Sequence, residues 1–214
     1  MNPLKSQYSD REIINKWIVA FNNLLVENLL SKMDLKKFNT NSFIGFCYVD
    51  HDAGISIRIH ALCFIRPKNK PAIVVNTFEI CQDLILRYGV IEQFTILNNE
   101  QVEALSLPSE PEWLECYKSS KYSNVRNRLD IDQFRAPGYF DDVSVLLLSK
   151  SQEVSPEKVW VRLEETSDDD TTFRGRLLNQ PYADFGVNIG DTIPVLLVET
   201  EDGRILISGN WVPV

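Results

Sequence analysis

The segment that decides the fold of the C-terminal part of the chain is Glu157–Val198, which reads EKVWVRLEETSDDDTTFRGRLLNQPYADFGVNIGDTIPVLLV. Apolar and polar residues alternate at Val159–Leu163, so this stretch is predicted to be a strand that buries one face and places Trp160 on the other. Several short strands separated by turns indicate a small, mostly antiparallel β domain, either a barrel or a strongly twisted sheet. The other predicted strands of this domain are Val143–Leu148, Phe173–Leu178, Thr192–Val198 and Arg204–Ile207.

Turn-forming residues interrupt these strands at regular places. Gly175 is predicted to allow a bulge or a close approach between backbones. Asn179 is expected to bond its own backbone and Pro181 to stop the strand, which together turn the chain. Gly190 and Asp191 are typical of a tight turn before the next strand. Structural roles therefore explain all of these residues without a catalytic site.

The N-terminal part is predicted to mix helices and strands. Ser9 and Glu12 have the spacing of a capping box, and the apolar residues that follow recur at three- and four-residue steps, which predicts a helix to about Met33. A second helix is predicted at Phe78–Tyr88, ending at Gly89. The predicted strands of this part are Phe43–Asp50, Ile55–Arg66, Ala72–Asn76 and Ile91–Leu97.

A domain boundary is predicted near Phe140. The tripeptide Ala136-Pro137-Gly138 interrupts the chain, and the segment that follows it contains β signals only. We expect an α+β chain, with a mixed α/β domain at 1–140 and an acidic, β-rich domain at 141–214.

Charge is distributed unevenly along the chain, whose net charge is −8. From Asp141 onward there are six Lys or Arg and fourteen Asp or Glu, whereas the first 140 residues contain sixteen of each. An acidic domain repels phosphate groups and attracts basic surfaces, so we expect a basic protein partner and no nucleic acid. The alternative is that the acidity only increases solubility.

Composition and targeting signals favour a folded cytoplasmic protein. The hydrophobic fraction of 44% is enough for a core. The four cysteines, at positions 47, 63, 81 and 116, form no C-x-x-C pair, and we expect them to be reduced. The N-terminus lacks the apolar segment of a secretory signal, and no apolar run is long enough to cross a bilayer, so no membrane association is expected.

Candidate catalytic groups are few. The two histidines are His51, flanked by Asp50 and Asp52 in a predicted turn, and His60, predicted to be a surface side chain of a strand. One imidazole with two flanking carboxylates is an incomplete metal site, and no nucleophile elbow or phosphate loop is present. We therefore expect no cofactor and no metal, and the balance is against an enzyme.

Two charged segments have a possible binding role. The run Asp168-Asp169-Asp170 has oxygens for a hard cation but lacks the glycine and distal glutamate of a calcium loop, so a solvated hairpin tip is the favoured interpretation. The basic segment Lys121–Arg128, with Arg126 and Arg128 beside Tyr122, could contact a phosphate or an acidic surface. A solvated connecting helix or loop is the favoured alternative.

The pattern of Val159-Trp160-Val161, Gly175-x-Leu177-x-Asn179-x-Pro181 and Gly190-Asp191-x-Ile193 resembles the YegJ-like family of small bacterial domains of unknown function. The family pattern tends to close with Ile-x-Asp-Trp. Here the segment is Ile207-Ser208-Gly209-Asn210-Trp211, which keeps the tryptophan and lacks the aspartate. The resemblance covers about a third of the chain and implies no reaction.

These observations favour a non-enzymatic bacterial protein of the immunity or inhibitor type that binds a basic protein partner through its acidic domain. Aromatic residues ringed by charge are effective anchors of interfaces. The residues expected to contact the partner are Trp160, Tyr182, Trp211, Asp168, Asp169 and Asp170. Two alternatives remain, an enzyme with a site near His51 between the domains and a regulatory domain that binds a small molecule or a peptide.

Overall fold

The structure is a computed structural model that describes residues 7–21, 28, 40, 42–66, 70–80, 83–150, 153–167 and 171–209. The chain divides into two compact units, Met1–Tyr117 and Lys118–Val214. This division lies N-terminal to the boundary predicted near Phe140. Pro137 and Gly138, which the prediction used to mark the domain boundary, form the turn of a hairpin within the second unit, in which Ala136 pairs with Tyr139.

The first unit is built on a six-stranded sheet whose pairings are all antiparallel. The strand order is β4-β3-β2-β1-β6, and β5 pairs with the part of β3 that β4 leaves free. The strands are β1 Trp17–Ala20, β2 Ser42–Asp50, β3 Gly54–Arg66, β4 Lys70–Asn76, β5 Ile85–Arg87 and β6 Phe94–Ile96. One face of the sheet packs against the segment that contains helix α2 (Asn99–Ala104) and a 3₁₀ helix (Glu112–Tyr117).

The predicted N-terminal helix is correct only in its first turn. Helix α1 spans Asp10–Ile13 and begins with the predicted capping box, in which Ser9 and Glu12 exchange hydrogen bonds. The prediction is wrong at Trp17–Ala20, which forms strand β1 in the interior of the sheet. All four residues of β1 are buried, and a strand buried on both faces presents an apolar run without period-two alternation. Residues 22–27 and 29–33 of the predicted helix lie outside the described residues.

The predicted helix at Phe78–Tyr88 is also wrong. A 3₁₀ helix spans Thr77–Ile80, and strand β5 follows at Ile85–Arg87. In β5 the buried Leu86 lies between the exposed Ile85 and Arg87, which is a period of two. The strands predicted at Phe43–Asp50, Ile55–Arg66, Ala72–Asn76 and Ile91–Leu97 are present as β2, β3, β4 and β6.

The second unit contains a closed five-stranded barrel. Strands β8 to β12 pair antiparallel in sequence order, and β12 returns to pair in parallel with β8 through Ile207 and Ser208. The strands are β7 Arg135–Ala136, β8 Tyr139–Leu147, β9 Glu157–Thr166, β10 Thr172–Leu177, β11 Thr192–Thr200 and β12 Gly203–Ser208. The predicted barrel-like C-terminal domain is confirmed. The described chain is mostly β with short helices, so α+β holds only coarsely, and the mixed α/β character of the N-terminal domain is not confirmed.

A short helix packs on the barrel. Helix α3 spans Ser120–Arg126, and its Val125 is fully buried in the barrel core with Val143, Val161 and Phe173. A helix is thus present in the basic segment Lys121–Arg128, as one form of the prediction had it, but Val125 packs it into the barrel core, which the prediction of a solvated connection did not include. Burial of Val125 in this core anchors the helix to the barrel.

Candidate functional site

The structure describes two of the six predicted contact residues, Trp160 and Tyr182. The other four, Asp168, Asp169, Asp170 and Trp211, lie outside the described residues.

Trp160 faces away from the barrel core. Its neighbours Val159 and Val161 are buried in the core, and the alternation of β9 turns the indole outward, where it is 40% exposed. The Lys158 ammonium lies 5.9 Å from the centroid of the indole ring. Within the described part of the chain the indole N–H has no acceptor, whereas that of Trp17 donates to the Pro108 carbonyl over 2.7 Å. Trp160 therefore offers both an aromatic face and a hydrogen-bond donor to solvent.

The loop 178–191, which we call the corner loop, is hydrogen-bonded to the edge of the same strand. The Asn179 side-chain oxygen accepts from the Trp160 amide over 2.8 Å, and the Leu178 amide donates to the Trp160 carbonyl over 2.9 Å. Asn179 thus bonds the backbone of β9 and not its own backbone, which corrects the prediction. The Glu157 carboxylate accepts from the Tyr182 amide over 2.9 Å and 3.0 Å. These bonds fix the loop backbone at both Trp160 and Glu157.

The far half of the corner loop is also internally bonded. The Gln180 side-chain oxygen accepts from the Ile189 amide over 3.1 Å, and the Asp191 carboxylate accepts from the Asn188 amide over 2.7 Å. Gly190 has φ +92°, a conformation that residues with a Cβ rarely adopt. The predicted tight turn at Gly190 and Asp191 is confirmed.

Gly175 brings strands β9 and β10 into close contact. A Cβ at this position would lie 2.6 Å from both the Arg162 carbonyl oxygen and a Val161 methyl group. The register of β9 and β10 shifts between Arg174 and Gly175, which is a bulge. The predicted close approach is confirmed, and it sets the register in which β10 leads into the corner loop.

Three large apolar side chains are exposed around the corner loop. Tyr182 is fully exposed, Ile189 is 57% exposed and Trp160 is 40% exposed. We call this set the corner surface. Ile189 was not predicted, although an apolar residue directly before a Gly-Asp turn is a signal that could have identified it. The backbone that carries all three residues is held by hydrogen bonds, so the corner surface is preorganised.

A cleft of about 290 Å³ lies beside the corner loop. It is lined by Leu148, Ser149 and Lys150 on one side and by Asp184, Phe185 and Gly186 on the other. Its lining is mixed in character, with one ammonium and one carboxylate, and Phe185 is largely buried in the barrel core.

The basic residues of the α3 segment neutralise acidic residues of the barrel. Arg126 makes two hydrogen bonds to Asp141, of 2.9 Å and 2.6 Å, and Asp141 is buried. Lys121 lies 3.0 Å from Glu165 and 3.4 Å from Glu164. The proposed phosphate contact of this segment has no support, because these cations already have carboxylate partners.

Two further Arg–Asp pairs use acidic groups of the second unit. Arg162 and Asp142 are both nearly buried and are joined by bonds of 2.7 Å and 3.1 Å. Arg128 binds Asp130 over 2.9 Å and 2.6 Å, and these hydrogen bonds lower the pKa of the Asp130 carboxyl.

The net charge is less concentrated than the predicted boundary implied. The second unit begins at Lys118, and it contains eleven Lys or Arg and sixteen Asp or Glu, a net charge of −5. The first unit contains eleven Lys or Arg and fourteen Asp or Glu, a net charge of −3. The second unit is still the more acidic of the two, although much of its negative charge is paired within the fold.

The residues around His51 form a hairpin turn, as predicted. One Asp50 carboxylate oxygen accepts from the amides of Asp52 and Ala53, over 3.1 Å and 3.2 Å. The other lies 3.7 Å from the Arg87 guanidinium. The Asp50 carboxylate therefore stabilises the turn and also forms an ion pair.

His60 is not a surface side chain, which corrects the prediction. It is half-buried and packs edge-on against Trp17, with ring centroids 5.3 Å apart. Burial lowers the pKa of the His60 imidazole. The neutral ring is thus part of the packing of the first unit.

The described cysteines are free, and two of them are buried. Burial raises the pKa of the Cys63 thiol to about 12 and also raises that of Cys47, so neither forms a nucleophilic thiolate. Cys81 lies outside the described residues.

Neither a metal centre nor a membrane span is found in the described ranges. These ranges contain no group of three His, Cys, Asp or Glu side chains placed to hold a metal ion. They also contain no helix that combines the length and the apolar character needed to cross a bilayer.

Comparison with known proteins identifies no relative. No family model matches the chain, and no match was found among curated proteins or solved structures. The resemblance to YegJ-like domains therefore stays a prediction.

Proposed function

We propose that the protein is a non-enzymatic binding protein and that its corner surface contacts a protein partner. The observation that supports this most is the exposure of Trp160, Tyr182 and Ile189 on a backbone that is hydrogen-bonded to the barrel. An exposed tyrosine held in this way loses little conformational entropy on binding, because its backbone is already ordered. A binding role explains why the protein keeps these apolar groups in water.

The corner surface supplies anchors of the kind that dominate interface energetics. Trp and Tyr are enriched among hot spots, and truncating such a residue typically weakens binding by about 2–4 kcal/mol. Ile189 adds apolar area next to the hydrogen-bonded turn. We expect most of the affinity to come from these three side chains.

The net charge of the second unit favours a basic partner. A charge of −5 attracts cationic proteins over about 10 Å at moderate ionic strength, which accelerates association more than it strengthens the complex. An immunity- or inhibitor-like protein that neutralises a basic protein fits this combination. The free cysteines support a reducing, cytoplasmic setting for such a pair.

Affinity capture with matched variants tests the proposal. The tagged protein, Trp160→Ala, Tyr182→Ala and Tyr139→Ala are compared in extracts of the source cells at low and moderate salt. Tyr139 is the control because it is a half-exposed tyrosine at the start of β8, whereas Trp160 pairs with Ser144 farther along that strand.

We expect a partner that the wild type and Tyr139→Ala retain, that Trp160→Ala and Tyr182→Ala lose, and whose capture weakens with salt. A partner retained equally by all four proteins would contradict the assignment of the corner surface. If capture does not change with salt concentration, only the proposal that the partner is basic is contradicted.

A further inference from the structure

The corner surface has properties that distinguish between kinds of partner segment. A protein segment recognised by a small domain is usually a strand added to a sheet edge, a helix in an apolar groove, or an extended polyproline II segment on exposed aromatic rings. The hydrogen bonds and exposure of the corner surface bear on each of these modes.

A partner strand has no free backbone to pair with at Trp160. Strand β9 is paired with β8 on one side and with β10 on the other. The amide and the carbonyl of Trp160 are both used, by Asn179 and Leu178 respectively. Strand addition therefore cannot take place at the corner surface.

The cleft that the corner loop lines does not suit an apolar partner helix. The cleft beside the corner loop is lined in part by Ser149, Lys150 and Asp184, and burying these groups against an apolar helix face would be unfavourable. The exposed apolar groups stand outside the cleft on the loop and on β9.

The third mode, a polyproline II segment on exposed aromatic rings, fits the corner surface. Such a segment forms no internal hydrogen bonds, so its carbonyls require donors, and its proline rings pack on aromatic faces. The corner surface offers two aromatic rings, each with a donor, namely the Trp160 indole N–H and the Tyr182 hydroxyl. Among the described residues neither donor has a partner.

The net charge of the second unit favours basic residues on either side of the prolines in the partner segment. Three acidic residues, Glu157, Asp184 and Asp191, belong to the corner loop or bond to it, whereas Lys158 lies over the Trp160 ring and Lys150 lines the cleft. The second unit as a whole has a net charge of −5, which attracts cationic flanks at longer range.

From these observations, and resting on the proposed function, we infer that the corner surface binds an extended, proline-rich, cationic segment of its partner. Proline rings pack on Trp160 and Tyr182, and the two ring donors bond carbonyls of the segment. Because a polyproline segment is already extended before it binds, it loses less entropy than a flexible segment of the same charge.

Fluorescence anisotropy with labelled synthetic peptides tests the inference on the full-length protein. The probes are a peptide of Pro-Pro-Arg repeats, one of Ala-Ala-Arg repeats with equal charge, and one of Pro-Pro-Glu repeats. The proteins are the wild type, Trp160→Ala, Trp160→Phe and Tyr139→Ala, with circular dichroism to verify that each is folded.

We expect the Pro-Pro-Arg peptide to bind at least about tenfold more tightly than the Ala-Ala-Arg peptide, and more tightly than the Pro-Pro-Glu peptide at low salt. Trp160→Ala should weaken binding at least about tenfold, Trp160→Phe by a smaller factor because it keeps a ring and removes the donor, and Tyr139→Ala should not change it.

Equal binding of the Pro-Pro-Arg and Ala-Ala-Arg peptides, or binding that Trp160→Ala leaves intact, would overturn the inference. Its failure can be distinguished from failure of the proposed function. If affinity capture depends on Trp160 but the proline-rich peptide does not bind, the corner surface recognises a segment of another kind. If capture does not depend on Trp160 either, both the proposed function and the inference of a proline-rich segment are contradicted.

Discussion

Gly175 provides the sharpest test of how the barrel is built. Replacing it with alanine would place a methyl group 2.6 Å from the Arg162 carbonyl oxygen and 2.6 Å from a Val161 methyl group. Ordinary contacts of this kind are about 3.5–4.0 Å long, so the strands would have to separate by roughly 1 Å. Strand β9 is paired on both sides, which resists that movement.

The expected loss of stability is the difference between one destabilising contribution and two stabilising ones. Overpacking typically costs about 1–3 kcal/mol. Burial of one methyl group returns about 0.8 kcal/mol, and the smaller entropy of the unfolded chain returns about 0.4–1 kcal/mol. The close contact is with backbone that cannot rotate away, so the overpacking cost is expected at the upper end of its range, about 3 kcal/mol. We therefore expect Gly175→Ala to reduce the free energy of unfolding of the second unit by about 1–2 kcal/mol.

Amide hydrogen exchange measures stability separately for each unit, from the barrel strands for the second unit and from the six-stranded sheet for the first. The matched control is Gly89→Ala, because a Cβ at Gly89 would meet no atom within 4 Å. This control should leave stability within about 0.5 kcal/mol of the wild type. If Gly175→Ala were as stable as Gly89→Ala, the close approach of β9 and β10 would not be what fixes the bulge.

Three further predictions concern single contacts. Asp142→Ala should destabilise the second unit by about 3–5 kcal/mol in urea unfolding, because it removes the carboxylate partner of the nearly buried Arg162. The control Glu199→Ala, at an exposed pair, should change stability by less than about 1 kcal/mol. Equal effects of the two substitutions would contradict this distinction. Asn179→Ala should accelerate exchange of the Trp160 amide by about tenfold and weaken partner binding while both anchors remain, and unchanged exchange would show that the bond does not hold the loop. Because burial lowers the pKa of His60 in the folded protein, the unfolded chain binds one more proton, so the free energy of unfolding should fall as pH decreases through about 6.5. The free energy of unfolding of His60→Gln should depend less steeply on pH than that of the wild type. Identical slopes would refute the assignment of this pH dependence to His60.

The strands of the barrel could be predicted because each is half-buried. Val159 and Val161 alternate with outward side chains, so period-two patterning identified β9 and placed Trp160 on its outer face. Gly175 and Gly190 were predicted correctly because glycine has few uses within a strand or a turn other than close approach and positive φ.

Other features depend on tertiary structure that local sequence does not encode. Trp17–Ala20 is buried on both faces, and its spacing fits a helix as well as an interior strand. The bond from Asn179 to the Trp160 amide spans nineteen positions and requires the register of β9 and β10. The burial of Val125 in the barrel core likewise could not be derived from a short basic segment.

Site-specific photo-crosslinking in the source cells tests the central claim most directly, because it reports what touches the corner surface. A photoreactive benzoylphenylalanine is placed at Tyr182, which is fully exposed, or at Tyr139 as the control. The proposed function predicts a discrete crosslinked partner from position 182 that is absent from position 139 and is lost when Trp160→Ala is added. No adduct from position 182, or the same adducts from both positions, would contradict it.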